Sequence, residues 1–409
     1  MNILVLTQIL PYPPDAGPRV KTWHVLQYLA QRGHRVTLVS YVRPDETPHL
    51  PAVRAICDRV IPVPIQRSRL RDLAYLARSL LTGRPFLIER DDLPAMRAAV
   101  KQVLAETPMD VIHADQLGMA QFALRGAALP GAGAHPPATL FDAHNAVWLI
   151  VERMAQNARP FLRPLINFEA RRVKRYETGL LRKFDHTITV TEIDRQAYLS
   201  AGGEAVAQKL SVIPIATDTR TLQPTARQPG SLNLLTLGTL HYPPNADGIR
   251  WFFTEIYPGV KAALAGVTLT IIGKNPPADF LALARQDSSV TVTGYVPDLD
   301  PLMAQAAVMV IPVRAGGGMR VRILEAFARA MPVVTTTVGL EGIDARPGED
   351  VLVADTPAAF EAAVVQLLRD PQLQQRLAVN GRRLAEEKYD WPVVLQQMDA
   401  VYNRLAAVK

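Results

Sequence analysis

The sequence predicts an α/β protein built from two successive Rossmann-like domains facing a central cleft. Three observations carry this reading. Short apolar runs alternate with helix-period segments along the whole chain. The rhythm breaks once, at the polar, Pro-containing stretch TRTLQPTARQPGS (219–231), and then restarts. The runs are mostly continuous in Val, Ile and Leu, as in parallel strands covered on both faces. At 409 residues the chain also exceeds one ordinary domain. The expected organisation is a first domain over 1–218, a linker over 219–231 and a second domain over 232–390. A helical segment over 391–409 either completes the second domain or packs back on the first.

In the first domain, strands are expected over 3–7, 35–40, 60–64, 110–114, 138–143 and 187–191. Residues 20–31 form an amphipathic helix with Trp23, Leu26, Leu29 and Ala30 on one stripe, and Gly33 ends it. In the second domain, strands are expected over 232–237, 267–272, 290–293, 308–312, 333–336 and 351–353. Open parallel sheets bind ligands beyond the carboxyl ends of their strands, which directs attention to the loops that follow them.

The composition narrows the function. The net charge of +7 suits an anionic partner: a phosphate, nucleic acid or an acidic membrane face. Aromatic residues make up only 6%, without basic–aromatic interleaving or zinc-finger spacing, which disfavours nucleic acid. No apolar run approaches the roughly 20 residues that span a bilayer. The first residues read as a strand and loop, not as a signal peptide. The single cysteine, Cys57, excludes an internal disulfide and a cysteine-built zinc site, and a reducing cytoplasm fits best.

The stretch GGGMRVRILEAFA (316–328) is the strongest local signal. A strand precedes it and a helix follows, so Gly316, Gly317 and Gly318 lie in a strand-to-helix turn. Glycine there allows close backbone approach, and a helix start offers free N–H groups to an anion. Arg320 and Arg322 add charge and bidentate donors. The plain alternative is a surface turn with two solvated arginines. Glu325 has two readings: a carboxylate favoured by the helix dipole, or an acceptor for ribose hydroxyls.

The run ILEAFARAMPVVTTTVGLEGI (323–343) resembles the signature of glycosyltransferase family 4, of the GT-B fold. The likeness covers nearly the whole chain. ILPYPPDAGPRVKTWHVLQYLAQRGHRVTLVS resembles the family's first β-α-β unit. TVTEIDRQAYL, VIPIATD and GYVPDLDPLMAQAAVMVIPVRAGGG resemble later blocks, in the expected order.

The resemblance implies a retaining transferase that takes a nucleotide-sugar donor on the second domain and an acceptor mainly on the first, with no cofactor and no essential metal. Carried over by position, Glu325 holds the ribose. The loop Gly317, Gly318, Met319, Arg320 and Val321, with Arg322, holds the diphosphate. Tyr295 and Val296 flank the base. Gly17 belongs to a loop near the donor phosphate and acceptor, where Ala16-Gly17 replaces the usual two glycines and Arg19 reaches toward an anionic group. His144, ending TLFDAH, matches a histidine that approaches the donor sugar, with Asp142 two positions before it. His113 and Asp115, in DVIHADQ, are weaker candidates.

Two positions depart from the family pattern. Gly317 stands where members usually carry a first glutamate, which leaves the sugar open. GTLHYPPNADG (238–248) lacks the usual Arg and Lys, so Arg320, Arg322 and Lys274 are expected to supply the charge. No Asp-x-Asp metal motif is expected to act; Asp298 and Asp300 fall in the base-binding block. Two basic segments, 165–183 and 67–84, are either solvated faces or contacts to an anionic membrane, the latter with Leu70, Leu73, Leu76, Leu80 and Leu81 interleaved. The competing functions are a GT-B nucleotide-sugar 2-epimerase, a two-lobed binding protein and a catalytically degenerate nucleotide-sugar binder. An NAD dehydrogenase is disfavoured by the absence of G-x-G-x-x-G after the first strand.

Overall fold

The computed structural model describes residues 1–15, 17–129, 136–156 and 158–407. Ala16 and the last two residues of the expected C-terminal helix lie outside them. The chain forms two compact units, one of Met1–Ile215 with Leu395–Lys409 and one of Ala216–Val394.

Each unit is organised on a parallel sheet. In the first, β1 (Asn2–Thr7), β2 (Arg35–Val42), β3 (Arg59–Pro64), β4 (Val111–Asp115), β5 (Ala138–Ala143), β6 (His186–Thr189) and β7 (Leu210–Val212) lie in the order β3-β2-β1-β4-β5-β6-β7. In the second, β8 (Asn233–Leu237), β9 (Thr268–Ile272), β10 (Val290–Gly294), β11 (Ala306–Ile311), β12 (Val333–Thr335) and β13 (Leu352–Val353) lie in the order β10-β9-β8-β11-β12-β13. Both orders reverse beside the first strand, at β1/β4 and at β8/β11. At such a switch point the crossovers leave on opposite sides and a crevice opens at the carboxyl edge. The central strands β4, β5 and β11 are buried along their whole length, which accounts for their continuous apolar runs. β7 was not expected: it has only three residues, lies at the sheet edge and is followed closely by Pro214.

The Gly17–Gln31 helix buries Lys21, Thr22, Val25, Leu26 and Leu29. This corrects the expected stripe at two positions, since Trp23 and Ala30 are only half-buried. Trp23 rests instead on Tyr12, with ring centroids 4.8 Å apart. The helix turns inward around its polar pair because carboxylates wait beneath it, as described below. It ends where Gly33 takes φ +75°. The Gly33 amide donates to Ala30 at 3.0 Å and the His34 amide to Leu29 at 3.1 Å, closing the last turn in a Schellman motif.

Residues 219–231 are fixed to the second unit rather than slack. The Thr225 amide donates to the Arg329 carbonyl at 2.9 Å and the Gln228 amide to Ala304 at 2.7 Å. Arg227 donates to the Ala307 carbonyl at 3.1 Å and to Gln374 at 2.8 Å. The Trp391–Ala407 helix leaves the second unit and, from Leu395, belongs to the first. There the Tyr402 hydroxyl and His113 Nδ1 share a hydrogen bond of 2.8 Å, and Arg404 donates to the Gln208 carbonyl at 2.9 Å. Among the described residues no helix is long and apolar enough to cross a membrane.

His186, buried in β6, has its pKa lowered to about 4 by desolvation, with Arg404 adding to the effect. Its ordinary value is near 6.5. Between those values the unfolded chain binds the extra proton, so stability is complete above pH 6.5 and declines as pH falls toward 4. Burying this neutral imidazole is expected to cost up to about 3 kcal/mol over that window. In thermal melts from pH 7.5 to 4.5, His186→Gln should lose less melting temperature on acidification than the wild type; equal slopes would contradict the assignment.

Candidate functional site

In the second unit, β11 runs into the glycine turn and then into the Val321–Ala328 helix. Gly316 has φ +116° and Gly318 φ +77°, so the turn uses left-handed backbone at two of its three glycines. Gly317 does not share that requirement. The helix buries Ile323, Leu324, Ala326, Phe327 and Ala328 against the unit. Its burial fixes the direction in which the remaining side chains leave.

Arg320 folds back over the turn, donating from Nη1 to the Gly317 and Gly318 carbonyls, each at 2.6 Å. Arg322 reaches the end of β8, donating from Nη1 to the Leu237 carbonyl at 2.7 Å and from Nη2 to Asn245 Oδ1 at 2.8 Å. A side chain at Gly238 would meet Arg322 Nη1 at 2.6 Å, so the glycine makes room for the guanidinium. Desolvation lowers the Arg322 pKa to about 10, and the nearby charge of Arg320 adds to this. Two guanidinium groups in one partly desolvated place favour an anion between or beside them.

Glu325 is half-buried on the same helix, and its carboxylate makes no hydrogen bond or ion pair among the described residues. Desolvation raises its pKa, opposed by Arg329 and Arg322. Arg329 is itself engaged by Asp300 at 3.3 Å. A carboxylate merely serving the helix dipole has no reason to be desolvated. Its open acceptor sites call for donors that the described residues do not supply.

The neighbouring strand ends complete this edge. Gly273, after β9, packs against the Gly238 carbonyl, and its amide donates to Gly294 at 2.8 Å. Lys274 stands with Nζ 4.4 Å from the centroid of the Tyr295 ring, a cation–π contact. Tyr295 is 63% exposed and Val296 half-buried. Asp298 accepts from the Asp300 amide at 3.0 Å at a helix start, and Asp300 pairs with Arg329 at 3.3 Å.

At the carboxyl edge of the first sheet lies a buried charge network. Lys21 donates to Asp142 Oδ1 at 2.5 Å, and both side chains are essentially inaccessible. His144 Nε2 lies 2.7 Å from Asp115 Oδ1, which also accepts from the Thr22 hydroxyl at 3.0 Å. His113 Nε2 lies 3.7 Å from Asp142 Oδ2. Burial alone would raise the Asp142 carboxyl; Lys21, His113 and His144 outweigh it and hold the group below the usual carboxylate range. His144 is buried, and its Nδ1 has no hydrogen-bond partner among the described residues. With Nε2 engaged by Asp115, Nδ1 is the ring nitrogen left open.

Asp115, Asp142 and His144 offer ligand atoms within 4.8 Å of one another, a grouping able to hold a metal ion. The Lys21 ammonium already touches Asp142, so the chain supplies its own cation there. Gly17 opens its helix, and a side chain added to it would meet nothing within 4 Å, so the local fold does not require glycine. Arg19 is not available to an external anion as expected: it pairs with Asp15 at 3.0 Å and with the buried Glu46. Lys21, Thr22 and Asn245 were missed by sequence reasoning. Acids at or beside the ends of two strands, in IHAD and FDA, imply a cation, since a buried acid needs one, but nothing in the sequence singles out Lys21.

Two family models match the chain. One, described as glycosyl transferase 4-like domain, covers residues 16–216; the other, glycosyl transferases group 1, covers residues 231–370. An uncharacterized 44.6 kDa protein in the cps region of Klebsiella pneumoniae is 26% identical over 39% of this chain and 42% of its own length, so the chain spans under half of that relative. The phosphatidyl-myo-inositol mannosyltransferase of Mycobacterium leprae is 24% identical over 97% of this chain and 96% of its own. Among solved structures, Anabaena Alr3699/HepE in complex with UDP superposes with a TM-score of 0.68 at 16% identity, covering 98% of this chain and 100% of that one.

Lys21→Met should leave Asp142 buried and uncompensated, a loss of about 3–5 kcal/mol in urea unfolding. Adding Asp142→Asn should recover a large part of it. A single variant within 1 kcal/mol of wild type would show that the pair does not organise the sheet edge.

Proposed function

The chain belongs to the family 4-type glycosyltransferases of the GT-B fold, and we propose that it is a hexosyltransferase acting with retention at the anomeric carbon. The donor in this reading is a nucleoside-diphosphate sugar, UDP- or GDP-linked. The acceptor is a saccharide, a lipid-linked saccharide or a small molecule. The observation that carries the donor reading is the unpartnered, half-buried carboxylate of Glu325 beside Arg322 and the glycine turn, at the switch point of the second sheet. A ribose supplies two hydroxyl donors to such a carboxylate, and the diphosphate supplies the anion that two adjacent arginines favour. The fold of this chain is shared by a protein solved with UDP bound, which supports the same reading.

In this assignment the backbone of Gly317, Gly318, Met319 and Val321 and the side chains of Arg320 and Arg322 receive the diphosphate. Tyr295 and Val296 flank the base, with Lys274 held on the Tyr295 ring. His144 and Gly17 serve the transfer step from the first unit, with the His144 ring oriented by Asp115. The anomeric carbon exchanges its bond to the phosphate oxygen for one to the acceptor oxygen, and the acceptor's proton leaves with the nucleoside diphosphate. The charge that a metal would otherwise supply comes from the arginines and the helix start. No observation favours the epimerase or non-catalytic alternatives.

Calorimetry with UDP and GDP tests the donor reading, which fails if neither binds. Glu325→Gln should raise the dissociation constant of the bound nucleotide roughly ten- to a hundredfold, the loss of a hydrogen bond to a charged acceptor. His144→Ala should leave that constant nearly unchanged and lower turnover. A Glu325→Gln protein that binds like wild type would return Glu325 to the role of a dipole partner.

Turnover should persist in EDTA. Activity abolished by the chelator and restored by Mn²⁺ would transfer the charge-stabilising role from the arginines to a metal.

A further inference from the structure

A surface of the first unit, on the Arg69–Thr82 helix and the start of the Arg163–Lys183 helix, has no part in the reaction described. The Arg69–Thr82 helix buries only Ser79. Its leucines point outward: Leu70 is 79% exposed, Leu73 64%, Leu80 60% and Leu81 88%. At helical spacing these residues share one face, with Arg71 and Arg78 along its border. At the start of the Arg163–Lys183 helix, Phe161, Leu165 and Phe168 are exposed as well. Arg172 ties the two regions together. It donates to the Ser79 carbonyl, to Ser79 Oγ at 2.8 Å and to the Arg84 carbonyl, and it lies 5.3 Å from the Phe168 ring.

Between these elements is a cavity of about 320 Å³, with Arg84, Arg172, Arg175, Tyr176 and Lys183 in its wall. Arg84 and Arg172 are engaged by acids or carbonyls of the chain. The side chains of Arg175 and Lys183 have no partner among the described residues, and neither do those of Arg69, Arg71 and Arg182. The sequence places seven Lys/Arg against two Glu over 163–183, and five Arg against one Asp over 67–84.

We infer that this face docks on an anionic lipid bilayer, with the leucines entering the acyl boundary and the cavity receiving a lipid phosphate. Exposed leucines arrayed beside unpaired arginines match the layering of a bilayer, apolar below and anionic at the headgroups. Arginine and lysine stems lie along apolar surface while their charges reach the phosphates. A second copy of this chain would bring the same unpaired cations face to face, so charge complementarity selects the lipid surface.

Cosedimentation with phosphatidylcholine vesicles, with and without phosphatidylglycerol, tests the inference on the full chain. The wild type should bind the vesicles containing phosphatidylglycerol and bind phosphatidylcholine alone far more weakly. Leu70→Gln/Leu73→Gln/Leu81→Gln and Arg69→Gln/Arg71→Gln/Arg175→Gln/Lys183→Gln should each weaken that binding by about tenfold or more. All seven positions are exposed, and unchanged thermal melts would show that the variants fold. As a second readout, Leu73→Trp should shift its added fluorescence to the blue on anionic vesicles. Absence of wild-type binding, binding undiminished in both variants, or a dimer dissolved by the leucine substitutions in the absence of vesicle binding would each overturn the inference; the last two point to another surface and to self-association.

Discussion

The ammonium of Lys21 against the carboxylate of Asp142 is the contact on which the carboxyl edge of the first sheet depends. Parallel strands covered on both faces leave no solvent to accept a charge, so an acid at a strand end has to be neutralised from a neighbouring element. The helix after β1 meets that demand by turning Lys21 and Thr22 inward, at the expense of the Trp23 face. The arrangement spreads outward from there. Thr22 and His144 share one oxygen of Asp115, His113 approaches Asp142, and Tyr402 closes the chain over His113. Two strands, the helix after β1 and the C-terminal helix are thus tied together by polar contacts at a place where apolar packing ends.

The second unit solves the same geometric problem in the opposite way. Its sheet reverses beside β8 just as the first reverses beside β1. There the charge excess is positive, and the carboxylate on the following helix has no hydrogen-bond or ion-pair partner among the described residues. In the first unit the strand-end acids are paired from within the chain; in the second, the Glu325 carboxylate makes no hydrogen bond or ion pair among the described residues. The contrast arises from single residues at the strand ends, not from the fold the two units share.

Much of this was legible in the residues. The strands could be read because central parallel strands appear as unbroken Val/Ile/Leu runs; β7 could not, since three residues at an edge carry no period. The glycine turn and Glu325 were visible because strand, glycine, arginine and helix follow one another within a short span. Lys21 was not, because one lysine in an amphipathic stretch reads as a solvated residue until the acids from β4 and β5 are placed beneath it. Arg19 failed for the complementary reason: Glu46 is distant in sequence, and its pairing is set by tertiary structure. The tethering of 219–231 was hidden too, since a polar Pro-containing composition describes a loop without saying what its backbone will bind.

The return of residues 395–407 to the first unit makes that unit discontinuous along the chain. During synthesis from the N-terminus, every residue of the second unit emerges before the first can be finished. Until Tyr402 and Arg404 arrive, His113 and the carbonyl of Gln208 lack the partners they have in the finished protein. The unit that begins first is therefore completed last, and a nascent chain halted before residue 395 would hold a whole second unit beside an unfinished first one.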